Sequence, residues 1–166
     1  MRSSLAGLFA CALLSTAAVS ASAQAAPPAS APPPDYDAAL ATQLGADAHG
    51  MRMYVLVVLH TGPHRMPAGP ERDAMFAGHF ANIQRLADAG KLAVAGPFGQ
   101  TPGATPDDWR GLFVFAVPDV EEARALVATD PVVANGEMVA EFHRLYSSAA
   151  LMLVAGDHKK LVREPF

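Results

Sequence analysis

Met51-Arg52-Met53-Tyr54-Val55-Leu56-Val57-Val58-Leu59-His60 is the stretch on which the fold turns. Its β-branched and aromatic content makes it a strand. Successive strand side chains point to opposite faces, so a sheet covered on one side alternates apolar and polar residues. This strand does not alternate. Met51, Met53, Val55, Val57 and Leu59 share one face, while Tyr54, Leu56 and Val58 fill the other. Arg110 to Val117 (RGLFVFAV) repeats the pattern, with Leu112, Val114 and Ala116 opposed to Phe113, Phe115 and Val117. Both faces of the sheet therefore require cover.

Gly62-Pro63 and Pro67 to Pro70 break the chain after the first strand. Glu71 to Ala89 then reads as a helix, with Glu71 and Asp73 in its first turn and Gly90 as its stop. Its apolar stripe is Met75, Phe76, His79, Phe80, Ile83 and Leu86. Lys91 to Ala95 is a second strand ended by Gly96-Pro97, and residues 98–108, rich in Gly, Pro and Thr, form a loop before the third strand. Pro118-Asp119 opens a helix over Val120 to Ala128, and Asp130-Pro131 breaks it. After a further helical turn ending at Asn135-Gly136, Glu137 to Tyr146 (EMVAEFHRLY) makes the fourth strand. Ala149 to Val154 is apolar enough for an extra edge strand.

The order β-α-β-β-α-β is the ferredoxin-like plan: an α+β fold with one four-stranded antiparallel sheet and two helices on one face. Two helices cover one of the two apolar faces. A second copy packed sheet to sheet would cover the other, so a homodimer is expected.

The flanks carry different signals. Met1-Arg2-Ser3-Ser4, the apolar run Leu5 to Val19 and the small-residue run Ser20 to Ala23 follow the grammar of a signal peptide over residues 1–23. A spanning helix needs about 20 apolar residues, and Ser15, Thr16 and Ser20 dilute this run. The expectation is export, periplasmic or secreted, with no membrane span after cleavage before Gln24 or Ala26. Residues 24–50 read as an Ala/Pro-rich tether followed by a short helix, capped by Asp37, carrying Leu40 and Leu44 and closed by Gly45. The domain runs over 51–148, with a C-terminal extension over 149–166.

A length of 166 residues, 51% hydrophobic and 17% charged, leaves room for one globular domain. The net charge is -4, and the short Lys159-Lys160 pair is the one basic cluster, so nucleic acid is not an expected partner. One cysteine forms neither an internal disulfide nor a thiolate zinc site. The chain holds no Gly-rich phosphate loop, Gly-x-Ser-x-Gly elbow or His-Glu-x-x-His helix. His60 and His64 have four-residue spacing, but Gly62-Pro63 forbids the helix that would bring them to one side. Neither a metal nor a cofactor is expected. His143, with Val139 and Leu145 on its face of the fourth strand, lies near the expected dimer seam.

His79 falls on the apolar stripe between Phe76 and Ile83, so its ring points toward the sheet. A histidine there is either a core residue satisfied by one hydrogen bond or a general base tuned by a carboxylate. Asp130 before Pro131 is itself the pairing that opens a helix, an N-cap followed by proline.

Gly78-His79-Phe80-Ala81-Asn82-Ile83, Asp88-Ala89-Gly90-Lys91-Leu92 leading to Ala95-Gly96-Pro97, and Glu121 to Leu126 ending in Thr129-Asp130-Pro131 strongly resemble the YciI-like (YCII-related) proteins of the dimeric α+β barrel superfamily. The resemblance covers about residues 51–148. It implies a homodimer whose sheets face each other and a pocket holding a His79-Asp130 pair beside the Gly96-Pro97 turn. Some relatives resemble lyases or dehydrochlorinases acting on ring compounds. The implied function is a cofactor-free lyase or isomerase in which His79 moves a proton on a small cyclic or carbonyl-bearing molecule and Asp130 orients it. The alternative is a non-catalytic exported module that binds a small hydrophobic ligand or a protein partner. The export signal and the C-terminal extension depart from the family pattern of short cytosolic chains.

Overall fold

The computed structural model describes residues 33–99 and 108–164. The expected signal peptide, the tether up to residue 32 and most of the loop before the third strand lie outside the described residues.

From Asp37 onward the elements are α1 (Ala38–Leu44), β1 (Met51–Thr61), α2 (Pro70–Asp88), β2 (Leu92–Pro97), β3 (Trp109–Phe115), α3 (Val120–Val127), α4 (Pro131–Ala134), β4 (Met138–Ser148), a 3-10 helix (Ala149–Leu153) and α5 (Val154–Leu161). The strands form one antiparallel sheet in the order β2-β3-β1-β4. This is the ferredoxin-like arrangement expected from the sequence. Local chemistry sets the boundaries. Pro70 occupies the first turn of α2, where a missing N–H costs nothing, and Gly90 follows the helix at φ 67, a left-handed conformation that glycine adopts without strain. Asp119 and Asp130 cap α3 and α4, each accepting a backbone N–H from two residues ahead.

One sheet face is the main core. Val55, Val57 and Leu59 of β1 and Phe113 and Phe115 of β3 pack with Met75 and Leu86 of α2, Ala123 and Val127 of α3 and Val132 of α4. The register places like with like across the ladder: Val57 lies opposite Phe113 on one side and Phe142 on the other. Phe80, expected in the α2 stripe, is 41% exposed. It follows His79 directly, and one residue turns the helix by about 100°, which carries it to the flank of the buried arc.

The opposite face corrects two expectations. Ala149 to Val154 is not an edge strand: the β1–β4 ladder ends where Met51 meets Ser148, the Ala149 amide makes one more bond to the Gly50 carbonyl at 2.9 Å, and the chain before β1 then turns away at Asp47–Gly50, where Gly50 has φ 73. Ser148 instead caps the 3-10 helix by accepting from the Ala150 amide at 3.2 Å. The chain also supplies part of the cover that it was expected to lack. Leu151 and Met152 fold back onto Tyr54, Ala93 and Val114, which are all buried. The Tyr54 hydroxyl donates to the Ser148 carbonyl at 3.0 Å, and Lys159 of α5 reaches Asp88 at the end of α2 at 2.5 Å. Leu56 and Leu112, farther along this face, stay half-buried. Among the described residues no helix is long and apolar enough to cross a membrane.

Candidate functional site

The site begins with a close approach of two helices. An added Cβ on Gly78 of α2 would lie 3.1 Å from Pro131 Cγ of α4, so the absence of a side chain lets α4 settle against α2. That approach puts His79 beside Asp130. His79 Nδ1 lies 2.9 Å from Asp130 Oδ1 and 2.8 Å from Oδ2, and both residues are buried. The carboxylate is acceptor-only, so the ring donates from Nδ1, and its neutral form keeps the Nε2 lone pair. Nε2 has no hydrogen-bond partner among the described residues.

Asp130 also remains the N-cap of α4, because Oδ1 accepts from the Val132 amide at 3.1 Å. The cap and the histidine pair are therefore simultaneous. The cap holds the carboxylate in one orientation, and the pair uses that orientation.

Three aromatic rings surround the imidazole. Phe76 meets it edge-on at 6.0 Å between centroids, Phe80 lies tilted at 5.3 Å and Phe113 at 6.0 Å. Phe76 is itself held by Arg72, whose guanidinium sits 4.6 Å from its ring centre while donating to Glu137 Oε1 at 2.8 Å. Glu137, 2% exposed, accepts a second bond from the Met66 amide at 2.7 Å. Burial pushes its carboxyl up, but Arg72 and the Met66 amide outweigh burial and hold it below its ordinary 4.5. The Glu137–Arg72–Phe76 chain thus anchors one wall of the site.

Gly96 and Pro97 stand at the end of β2, paired with Leu112 and Gly111. Gly96 shares the Leu112 face, away from the helices, while Pro97 alternates back to the helix side and is exposed. No hydrogen bond or ring contact among the described residues joins either to His79.

Two polar groupings escaped the sequence reading. Asn82, one turn after His79, is buried and accepts on Oδ1 from Arg85 at 2.6 Å; the Thr129 hydroxyl, which donates to the Leu126 carbonyl at 2.7 Å, lies 3.1 Å from the same oxygen. Its position three residues from His79 was the available signal. On the far sheet face His60 bridges Asp108 (3.1 Å) and Glu141 (2.9 Å), and Glu141 also meets His143 at 2.8 Å. That network joins residues widely separated in sequence and had no local signature. His64 instead packs against Gly136, donating its backbone N–H to the Gly136 carbonyl at 3.0 Å. Among the described residues no group of three or more His, Cys, Asp and Glu is arranged to hold a metal ion.

Against known proteins, the chain covers 92% of the 5-chloro-2-hydroxyhydroquinone dehydrochlorinase TftG from Burkholderia phenoliruptrix AC1100, solved in complex with 2,5-dihydroxybenzoquinone. The match spans 55% of this chain at 21% identity, with a TM-score of 0.38. No curated protein matches the chain. The family model of the YCII-related domain matches residues 53–142, the segment that runs from β1 through β4 and contains both His79 and Asp130. The chain belongs to the YCII-related domain family.

Proposed function

We propose that this protein is an exported, homodimeric, cofactor-independent lyase or isomerase that moves a proton on a small cyclic or carbonyl-bearing molecule. One observation carries the reading: a buried imidazole bound through Nδ1 by both oxygens of a buried carboxylate, with Nε2 uncommitted and aromatic rings around it. In this role Nε2 takes a proton from substrate, and Asp130 fixes the tautomer and offsets the charge of the imidazolium that forms. The half-buried Phe76 and the exposed Phe80 offer a ring-shaped substrate apolar contact. Export rests on the layout of residues 1–23. The dimer is supported by the half-buried Leu56 and Leu112 on the sheet face that the C-terminal segment covers only in part.

The test is proton exchange on a simple ketone. Cyclohexanone incubated with the protein in D2O should gain deuterium at its α carbon faster than in buffer, as followed by proton NMR. His79→Ala should return the rate to that of buffer. Exchange at the buffer rate with the native chain would overturn the proposal.

The second reading, a non-catalytic module for a hydrophobic ligand or a protein, draws on a separate, shallow and largely open cleft between α3, α4 and β4. Val127, Val133, Met138, Ala140 and Phe142 line it, and Arg124 stacks on Phe142 at 4.4 Å. Ligand binding that survives His79→Ala and is lost on filling this cleft with Ala140→Leu would select that reading.

A further inference from the structure

Asn82 Nδ2 is the one buried side-chain nitrogen or oxygen among the described residues that has no hydrogen-bond partner. Asn82 itself is 8% exposed. An amide flip does not cure this. Arg85 donates to Oδ1 at 2.6 Å, and exchanging the two amide atoms would set one donor against another at that distance. Thr129 lies within hydrogen-bond distance of the same oxygen and of Arg85. The acceptor end of the amide is therefore committed, and the donor end is left over. A buried donor without a partner is costly, which calls for a reason to keep it.

Its neighbourhood supplies that reason. His79 and Asn82 are three residues apart on α2, hence on one side of the helix with Cβ atoms about 5–6 Å apart. Both are buried. Thr129, which touches Asn82, immediately precedes Asp130, which holds His79. One helical turn thus carries a proton acceptor, Nε2, and a fixed proton donor, Nδ2.

We propose that Asn82 Nδ2 is the oxygen-binding group of the site, and that the substrate class is an enolisable cyclic ketone or a hydroxylated ring. This deepens the proton-transfer reading above and rests on it. In the ketone case the α C–H bond breaks and its proton goes to His79 Nε2. The released electron pair forms the C=C bond, and the carbonyl π pair moves onto oxygen. The product is an enolate and an imidazolium, with no other reactant required. The negative charge gathers on the oxygen that Nδ2 donates to, so this bond strengthens as the reaction proceeds. In a hydroxylated ring the same amide holds a phenolate oxygen.

The probe is 4-nitrophenolate, a ring-borne oxyanion whose visible band moves to shorter wavelength when its oxygen accepts a hydrogen bond. Native protein should bind it with such a band shift. Asn82→Asp keeps an oxygen for Arg85 and replaces the free donor by an acceptor, so it should fold normally, weaken binding by about tenfold or more and abolish the band shift. Asn82→Leu should weaken binding likewise with a melting temperature near the native one, because it removes the buried unpaired donor together with an acceptor whose partner, Arg85, is exposed and turns to water. Failure of the native protein to bind the probe, or unchanged affinity in either variant, overturns the assignment. The two levels separate cleanly. If His79→Ala stops cyclohexanone exchange while Asn82→Asp alters neither exchange nor phenolate binding, proton transfer stands and the Asn82 assignment falls. If the native protein does not exchange cyclohexanone, both fall together.

Discussion

Asp130 grips His79 Nδ1 with both carboxylate oxygens, at 2.9 and 2.8 Å, while one of those oxygens also caps α4 through the Val132 amide. A carboxylate that serves a helix and a histidine at once is hard to replace. Substitutions at Asp130 therefore sort by which duty they keep.

Asp130→Asn retains an oxygen for the Val132 amide, whereas Asp130→Ala removes both the cap and the histidine partner. Asp130→Ala should be less stable than Asp130→Asn by about 1 kcal/mol, the ordinary worth of an N-cap. Both should lose His79-dependent proton exchange. Urea unfolding of the two variants beside the native protein measures the difference, and equal midpoints would show that the cap contributes nothing.

Gly78 sets the spacing of α2 and α4. Gly78→Ala gains about 1 kcal/mol of helix propensity and presses on Pro131 only at a flexible ring carbon, so its melting temperature should stay near the native one. Gly78→Val adds bulk that the contact cannot absorb and should cost about 1–3 kcal/mol, with the His79–Asp130 pair drawn apart. Thermal melts with the exchange assay check both expectations.

Glu137 makes stability depend on acid. Its folded-state carboxyl lies below the ordinary 4.5, so as pH falls the unfolded chain takes up this proton first. The stability it contributes is complete above 4.5 and is lost as pH drops through the lower folded-state value. Glu137→Gln should be less stable at neutral pH and lose stability less steeply below pH 4.5. Melting temperatures measured from neutral pH into the acid range test this, and parallel curves for the two proteins would contradict it.

Leu151 and Met152 cover Tyr54, Ala93 and Val114. Leu151→Asp should cost about 1.5–3 kcal/mol, the burial worth of a large apolar side chain. It should also increase binding of a hydrophobic dye at the freed sheet face. Dye fluorescence and denaturant midpoint are the readouts, and a variant indistinguishable from native in both would place the cover elsewhere.

The proposed dimer requires the uncovered part of the same face. Leu56→Lys should shift the light-scattering mass from two chains to one, leaving the helix-side core of Val55 and Val57 untouched. A native protein of single-chain mass at micromolar concentration would remove the dimer from the proposal.

Much of this architecture was legible from the chain. The strands β1 and β3 announce themselves by β-branched and aromatic runs, α2 by its stripe and its Gly90 stop, and the caps by Asp119 and Asp130. These are local effects, decided by neighbouring residues, and a sequence states them directly. The resemblance also named His79 and Asp130 together, although 51 residues separate them.

The tertiary structure decided what depends on who meets whom. Cap and dyad looked like rival roles for Asp130, and only the Gly78–Pro131 approach makes them one arrangement. Apolar Ala149 to Val154 has the composition of a strand, yet the chain ahead of β1 turns away at Asp47–Gly50 after a single bond from the Ala149 amide, so the segment turns into helix and covers the sheet. Asn82 became notable when its oxygen proved committed to Arg85 and its nitrogen to no partner among the described residues. Secondary structure follows from propensities that act over a few residues. The pairing of buried polar atoms follows from long-range packing, which no short stretch of sequence contains.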